Sequence, residues 1–357
     1  MIWPMKSAPK FLWVLLFSCG ALLEGAEPTR LERNNLLIYR DAAGEIRPVK
    51  SVADWQKRRA EILRGMEEVM GPLPGKEQQG PLDLKVEEEI DCGSYLRRLI
   101  SYTSEPGSRV PAYLLVPKKL LEEKTTAPAI LCLHPTDKDL GHKVVVGLGG
   151  KANRAYAAEL AERGFVTLAP AYPLLANYNP DLKLLGYSSG TMKAVHDNRR
   201  GLNLLETFPF VKKGRFGAIG HSLGGHNAIY TAVFDERIRI IVSSCGFDSY
   251  LDYMNRKIAG WTSDRYMPKL RSYDLEKIPF DFHEMIGALA PRKVFVNAPI
   301  GDTNFKWQSV DAVVKAAGQI YRLYGVPENL RVTHPDCGHD FPDEIRREAY
   351  AVFEQLR

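Results

Sequence analysis

The apolar residues of the segment SVADWQKRRAEILRGMEEVM recur every three or four positions. Trp55, Ile62, Met66 and Val69 fall on one side of a helical projection, which is the spacing of an amphipathic helix that buries one face. A serine stands at the start of this segment and a Gly-Pro pair follows it, and both are typical helix boundaries. The pattern predicts a helix over residues 51–70 that precedes the main body of the protein.

The apolar pattern then changes from helical spacing to short runs. Three β-like runs, LKVEEEI, YLRRLISYTS and PAYLLVPK, are separated by turn residues and predict an antiparallel lead-in to a sheet. From AILCLH onward, short apolar strands alternate with helices. The further strands are FVTLAP, FGAIGH, IRIIVSSC, KVFVNAP and LRVTHP. This alternation predicts an α/β fold, with a mostly parallel twisted sheet covered by helices on both faces.

Residues 246–290 interrupt this alternation with a stretch rich in Tyr, Trp, Asp and Pro. We predict that this stretch is an insertion that lies over the sheet as a lid. The whole chain of 357 residues is long for one domain, but sheets of this size often form a single domain with insertions. We therefore expect an N-terminal helical and extended segment at 27–90, packed on a main domain at 91–357.

The first 26 residues have the pattern of a secretory leader. Two lysines precede the apolar run 11–23, and small residues follow it up to Ala26. The run is shorter than the roughly 20 residues that a membrane-spanning helix needs, so we expect no stable membrane span. Cleavage after Ala26 would give a secreted or periplasmic protein. A lipoprotein signal that uses Cys19 is the alternative, although LFSC matches that pattern poorly.

Charge and cysteine content narrow the possible partners. The net charge is only +5, and the basic residues are scattered among acidic ones, which argues against a nucleic-acid partner. Cys132 and Cys245 lie in apolar runs and are expected to pack as small buried side chains. Cys337 and His339 form a possible ligand pair, but no second pair stands at finger-like spacing, so we expect no zinc site.

The chemical centre is predicted at GHSLGGH, residues 220–226. Ser222 falls where the strand FGAIGH meets a helix, which is the setting of a nucleophile elbow. In such a tight turn, the residues two before and two after the serine must lack side chains, and Gly220 and Gly224 meet that need. The backbone N–H of Leu223 would then point toward a developing oxyanion. A simple strand-to-helix turn is the alternative reading of these seven residues.

A serine nucleophile needs a base and a carboxylate that orients the base. His339 stands in the loop after the last strand, and Asp302 follows the preceding strand, which gives the order Ser, acid, His of α/β-hydrolases. Asp248, one strand earlier, is the alternative acid. His334, His221 and His226 are rival bases that we expect to be structural. Asp340 adjoins His339 too closely along the chain to orient it.

The loop HPTD after the strand AILCLH is where a second oxyanion donor belongs, and we assign that role to the N–H of Thr136. The tyrosines and the tryptophan of the insertion could stack on a sugar ring, or they could only pack the lid. The candidate substrate contacts are Trp261 and Tyr266, with His221 beside the elbow and Tyr250 and Tyr253 as further lid aromatics.

Taken together, HPT, GHSLGG, APIGDTNF and GHDF resemble the α/β-hydrolase superfamily over about residues 90–357. Within it, GYSSGTMKAVHDNRR, SSCGF and LAPRKVFVNAP look like a secreted bacterial branch of dienelactone-hydrolase-like and acetyl xylan esterase-like proteins. Dienelactone hydrolases use a cysteine where Ser222 stands, and glucuronoyl esterases carry an arginine where Leu223 stands. The resemblance therefore implies a serine esterase acting on a carbohydrate ester such as acetylated xylan, without a metal or organic cofactor.

Two other functions share these residues. A peptidase of the prolyl-oligopeptidase kind would use the same triad, but the roughly 60 residues between the leader and the first core strands cannot build the propeller that shields such a site. A non-catalytic binding protein on a hydrolase scaffold would be expected to lack one member of the triad. All three candidate residues are present here.

Overall fold

The computed structural model describes Met1 and residues 30–357. Apart from Met1, the predicted leader 1–26, with Cys19, lies outside the described residues. Within the described part of the chain, no helix combines the length and the apolar character needed to cross a bilayer.

The strands form a small hairpin and one large sheet. The hairpin pairs β1 with β2, and the large sheet has nine strands in the order β11-β10-β9-β8-β6-β7-β5-β4-β3. The strands are β1 (Ile38–Arg40), β2 (Ile46–Pro48), β3 (Lys85–Asp91), β4 (Tyr95–Glu105), β5 (Ser108–Pro117), β6 (Ala127–Leu133), β7 (Val166–Pro170), β8 (Val211–His221), β9 (Ile238–Ser244), β10 (Lys293–Asn297) and β11 (Leu330–Thr333).

The strand directions confirm the predicted α/β fold. β3, β4 and β5 pair antiparallel, and β5 pairs antiparallel with β7. The remaining pairings, from β7 through β6, β8, β9 and β10 to β11, are all parallel. The strands β4 and β5 are longer than the second and third β-like runs of the sequence, because they continue into a tight hairpin between Glu105 and Ser108.

Helices cover both faces of the sheet, as predicted. α3 and α8 pack on one face, and α4 to α7 pack on the other, where α1 lies against α6. The helices are α1 (Val52–Met70), α2 (Lys118–Glu122), α3 (Tyr156–Glu162), α4 (Gly190–Leu205), α5 (Leu223–Phe234), α6 (Phe282–Ala288), α7 (Trp307–Leu323) and α8 (Asp343–Phe353). The short α2 and the hairpin of β1 and β2 were not predicted.

The first helix begins and ends as the sequence indicates. Ser51 caps α1 by accepting the N–H of Asp54 at 3.2 Å, and Gly71 ends it with a φ of 90°. Trp55, Ile62 and Met66 are almost completely buried, which confirms the predicted apolar face. Two arginines before and within this region, Arg30 and Arg58, form ion pairs with the buried Glu284 of α6. The N-terminal segment is thereby joined to the main body by both apolar and charged contacts.

The segment between β9 and α6 contains little regular structure. It consists of single turns of 3-10 helix joined by loops, at Tyr253–Asn255, Ile258–Trp261, Pro268–Ser272 and Leu275–Lys277. Its aromatic side chains pack with those of α5 and α6, so the segment lies against the carboxyl ends of the central strands. Parallel strands all present these ends at one edge, and there the loops after β6, β8, β9, β10 and β11 meet.

Candidate functional site

Ser222 lies in a strained turn between β8 and α5. Its backbone has φ 54° and ψ −120°, in a region that side-chain-bearing residues rarely adopt. Such a conformation costs on the order of 1–3 kcal/mol and persists only where the surroundings enforce it. The enforcing contacts are hydrogen bonds from Ser222 N–H to the Ser244 carbonyl at 2.8 Å and from His226 N–H to the Ser222 carbonyl at 3.0 Å.

The two glycines around Ser222 are required by close backbone approach. A Cβ atom on Gly220 would lie 2.1 Å from the carbonyl carbon of Gly224, and one on Gly224 would lie 1.8 Å from the carbonyl oxygen of Leu133. Both distances are far below van der Waals contact, and the neighbouring atoms are backbone atoms that cannot rotate away. The steric reason that the sequence suggested for this glycine pattern is confirmed.

His339 and Asp302 are brought together by the loops after β11 and β10. The Nδ1 atom of His339 lies 3.0 Å and 2.9 Å from the two carboxylate oxygens of Asp302. The Asp302 side chain is 1% exposed, whereas that of His339 is 29% exposed. Because an ionised carboxylate can only accept, Nδ1 of His339 carries the proton in this contact and Nε2 is left as the basic atom.

Asp302 is an ionised carboxylate despite its burial. Burial by itself raises the pKa of Asp302, but the hydrogen bond and charge of His339 lower it, together with the N–H groups of Asn304 and Phe305 at 2.8 and 3.2 Å. The resulting pKa of Asp302 lies below the ordinary value for an aspartate. A carboxylate held in this state can orient and stabilise an imidazolium.

Asp248, the alternative acid, has a different environment after β9. Its Oδ2 atom accepts the N–H of Lys306 at 3.2 Å, and its Oδ1 atom has no hydrogen-bond partner within the described residues. Burial raises the pKa of Asp248 to about 8, and the nearby carboxylates of Asp252 and Asp281 act in the same direction. Of the two candidate acids, only Asp302 is hydrogen-bonded to His339 in the part of the chain that the structure describes.

Ser222 and His339 open into one shared cavity of about 110 Å³. No hydrogen bond joins the Ser222 hydroxyl to His339 among residues 30–357, although such contacts often tighten only when substrate binds. Thr136 also lines this cavity. The remaining wall residues are Pro135, Asp137, Val144, Lys151, Arg154 and His221. A larger depression of about 520 Å³, between residues 174–188 and Asp264, contains none of the predicted site residues.

The loop that carries Thr136 is held by the neighbouring His134. The backbone N–H of Tyr172 donates to Nε2 of His134 at 3.0 Å, so the proton of this ring is on Nδ1, which donates to the Pro135 carbonyl at 2.8 Å. Burial lowers the pKa of His134 to about 4, and the ring is therefore neutral. The ring fixes the Pro135 carbonyl one residue before the N–H of Thr136.

The other histidines have distinct surroundings. His334 is bound by the Ala298 carbonyl and by Asp311, as expected of a structural residue. His226 is fully buried, and its ring stacks on Trp261 with centroids 4.5 Å apart. His221 lies beside His339, and the centroids of the two rings are 4.8 Å apart.

Among the aromatic residues of the predicted lid, Tyr266 approaches the predicted oxyanion loop, and its hydroxyl interacts with the side chain of Thr136. Trp261 is only 4% exposed, and Tyr250 is completely buried. Neither Trp261 nor Tyr266 lines the cavity that holds Ser222. For Trp261 and Tyr250, the structure favours the alternative that these rings pack the lid.

The sequence did not indicate which residues join the ends of β9 and β10 to Asp340, the neighbour of His339 in the chain. Cys245 follows β9 with a φ of 47°, and its thiol lies 3.3 Å from the Asp340 carbonyl. Asn297, at the end of β10, donates to Ser244 and to the same carbonyl. These contacts join residues on adjacent strands. In the sequence, the only indication was that Cys245 and Asn297 each stand at the end of an apolar strand.

One group of three side chains among the described residues has the makeup of a metal site. Ligand atoms of Cys245, Asp302 and His339 all lie within 4.8 Å of one another. Burial raises the pKa of the Cys245 thiol well above its ordinary value, so the sulfur stays protonated and is a poor ligand. The carboxylate and the imidazole are already hydrogen-bonded to each other, an arrangement that suits a triad.

This chain is similar to known proteins in sequence and in fold. No family model matches the chain. A protein of Bacillus subtilis (strain 168) that carries the name "Putative hydrolase YtaP" is 23% identical over 309 residues, which is 83% of this chain and 99% of that protein.

Solved structures with a similar fold include carbohydrate esterases. A glucuronoyl esterase from Solibacter usitatus has a TM-score of 0.73 at 19% identity, covering 90% of this chain and 97% of its own. A glucuronoyl esterase of carbohydrate esterase family 15 from Caldicellulosiruptor kristjansonii has a TM-score of 0.66 at 16% identity, with 90% and 89% covered. Acetyl xylan esterase 1 from a Thermoanaerobacterium species has a TM-score of 0.52 at 17% identity, with 83% and 92% covered. At these identities the likeness establishes the fold, and this chain has the α/β-hydrolase fold that its sequence predicted.

Proposed function

We propose that this protein is a serine carboxylic-ester hydrolase that acts on carbohydrate esters such as acetylated xylan. The observation that carries the proposal is the arrangement of three residues. Ser222 stands in a strained turn, and His339, oriented by the buried Asp302, lines the same cavity. The structural likeness to glucuronoyl and acetyl xylan esterases supports the substrate class.

In the proposed mechanism, Nε2 of His339 takes the hydroxyl proton of Ser222 as the oxygen attacks the ester carbonyl. The backbone N–H groups of Leu223 and Thr136 hold the oxyanion that develops. The imidazolium is stabilised by Asp302 and then protonates the leaving alcohol. The alcohol departs, and the acyl group stays on Ser222 as an acyl-enzyme. Water, deprotonated by the same imidazole, hydrolyses the acyl-enzyme.

The choice between acyl groups rests on the residue after the nucleophile. Leu223 is 4% exposed and packs with Tyr172, Leu175 and Ala194, so its side chain faces the protein interior. The arginine expected of glucuronoyl esterases is absent at this position. We therefore place acetylated sugars ahead of uronate esters as substrates.

The deciding experiment compares four substrates with the purified protein: 4-nitrophenyl acetate, acetylated xylan, a methyl glucuronate ester and an aminoacyl anilide. We expect turnover of the acetyl esters above that of the uronate ester, and no comparable turnover of the anilide. Faster hydrolysis of the anilide would make the protein a peptidase. Absence of turnover on all four, with the protein folded, would favour the non-catalytic alternative.

We further propose that the reaction takes place outside the cytoplasm, in the periplasm or the medium. The support is the basic start, the apolar run 11–23 and the small residues before position 27. N-terminal sequencing of the protein exported by a bacterial host tests this, with a new N-terminus near residue 27 as the expected result.

A further inference from the structure

The orientation of the Asn297 side chain is fixed by a carbonyl group. Its amide nitrogen lies 2.9 Å from the carbonyl oxygen of Asp340 and 2.8 Å from the hydroxyl oxygen of Ser244. A carbonyl oxygen can only accept, so the NH2 group must face it, and a flipped amide would bring two oxygens together. Both amide hydrogens are thereby used, and Ser244 is an acceptor from Asn297.

The hydroxyl hydrogen of Ser244 is consequently free to be donated elsewhere. Two acceptors are in range: Nδ1 of His221 at 3.0 Å and the sulfur of Cys245 at 3.8 Å. Thiol sulfur is a weak acceptor, whereas an unprotonated imidazole nitrogen is a strong one. The hydrogen therefore goes to His221, whose Nδ1 accepts it. In a neutral ring, the proton must then be on Nε2.

His221 is neutral and faces the reaction cavity. Burial lowers the pKa of His221 well below its ordinary value, and the positive groups of Arg154, His339 and Lys151 lower it further. His221 lines the cavity together with Ser222. Within residues 30–357, its Nε2 atom has no hydrogen-bond partner. A donor of fixed direction is thus left unused at the wall of the cavity.

We propose that the Nε2–H group of His221 donates a hydrogen bond to a free hydroxyl oxygen next to the ester group of the bound sugar. Asn297 and Ser244 are positioning residues that hold His221 in this tautomer. The inference rests on the proposed esterase function and adds a specificity to it. Such a donor favours a substrate that carries the hydroxyl group over the deoxy analogue. When the analogue is bound, the N–H group is shielded from water and has no acceptor, which costs binding free energy.

The first test measures discrimination within each variant. The substrates are a monoacetylated methyl xyloside with a free vicinal hydroxyl and its deoxy analogue at that position. The wild-type protein is expected to prefer the hydroxylated substrate about tenfold in kcat/KM, the size of one good neutral hydrogen bond. His221→Phe should bring this ratio close to one, and His221→Gln, which retains an N–H donor, should restore part of it.

The outcomes of this test separate the two proposals. A wild-type protein that hydrolyses neither sugar ester contradicts the esterase function itself. Hydrolysis with the same ratio in the wild type and in His221→Phe leaves the esterase function standing and overturns the role of His221.

The second test observes the tautomer directly and does not depend on activity. In protein labelled with 15N-histidine, NMR should show His221 with Nε2 protonated and Nδ1 unprotonated, and comparison with His221→Gln assigns the signals. Ser244→Ala removes the donor to Nδ1 and should move the ring toward the other tautomer. The matched control is Ser243→Ala, since the adjacent Ser243 hydroxyl is buried without a hydrogen-bond partner in the described chain. A wild-type ring protonated on Nδ1, or a tautomer unchanged by Ser244→Ala, would disprove the positioning of His221 by Ser244 and Asn297.

Discussion

The loops after β9 and β10 each carry a buried aspartate, and the two carboxyl groups differ in almost every property that matters for catalysis. Asp302 is bound by His339 and by two backbone N–H groups, and its pKa lies below the ordinary value. Asp248 has one backbone donor and an unpartnered oxygen, and its pKa is raised to about 8. The position after a strand determines where a carboxylate lies, but the hydrogen-bond donors around the carboxylate determine whether it is charged.

The largest expected effect comes from replacing Ser222, the proposed nucleophile in a triad with either aspartate. Ser222→Ala should lower kcat on 4-nitrophenyl acetate by roughly 10⁵- to 10⁶-fold, because the attacking oxygen is lost. Ser272→Ala, at an exposed serine of the segment between β9 and α6, is the matched control and should keep normal turnover. If Ser222→Ala retained most of the activity, neither aspartate could be part of a triad built on this serine.

The second prediction compares the aspartates directly. Asp302→Asn should lower kcat by about 10⁴-fold, because the amide no longer holds His339 in the tautomer that leaves Nε2 basic. Asp248→Asn should change kcat by less than tenfold, since Asp248 is not hydrogen-bonded to His339. Steady-state kinetics of the two variants decide between them. The reverse order of effects would assign the triad acid to the loop after β9.

The third prediction concerns stability against pH. In the native state Asp248 keeps its proton up to about pH 8, whereas an unfolded aspartate loses it near pH 4. The native state therefore binds more protons in this window, and its free energy of unfolding should fall as the pH rises, by up to about 1.4 kcal/mol per pH unit from this group. Urea denaturation at pH 5, 6, 7 and 8 measures the difference between the wild type and Asp248→Asn.

Asp248→Asn should lose this slope and become more stable relative to the wild type toward pH 8. Asp302 has the opposite sign, because its lowered pKa contributes stability above about pH 4 that is lost only as the pH falls further. Parallel curves for the wild type and Asp248→Asn would show that the Asp248 carboxyl ionises normally.

The smallest expected effect is at the loop after β6. Thr136→Val should change kcat by no more than about threefold, because the proposed oxyanion donor is the backbone N–H and valine keeps the shape of threonine. The same assay with 4-nitrophenyl acetate measures it. A loss of 100-fold or more would mean that the threonine hydroxyl, which interacts with Tyr266, takes part in the reaction.

The fold could be predicted because alternating strands and helices constrain it strongly. Ser222, Asp302 and His339 each follow a recognisable apolar strand, so their meeting at one sheet edge could be predicted from strand order alone. The strand order favoured Asp302 but left Asp248 open as the alternative acid, since both stand a few residues after a strand, and the direction of each side chain depends on contacts between loops. For the same reason the cross-strand contacts of Ser244 and Asn297 left no trace in the sequence. The role of the aromatic residues in the predicted lid could not be predicted either, because the sequence does not show whether a tryptophan stacks on a sugar or, like Trp261, on His226.

The proposed catalytic base follows one of the two edge strands of the sheet. His339 follows β11, a strand of four residues that pairs with β10 on one side only and is largely half-buried. The serine, in contrast, follows a central strand with partners on both sides. Edge strands open at lower free energy than central ones. Warming should therefore abolish the proposed activity through opening of β11 while the central strands are still folded, and a variant with a more stable β11 would stay active at higher temperature.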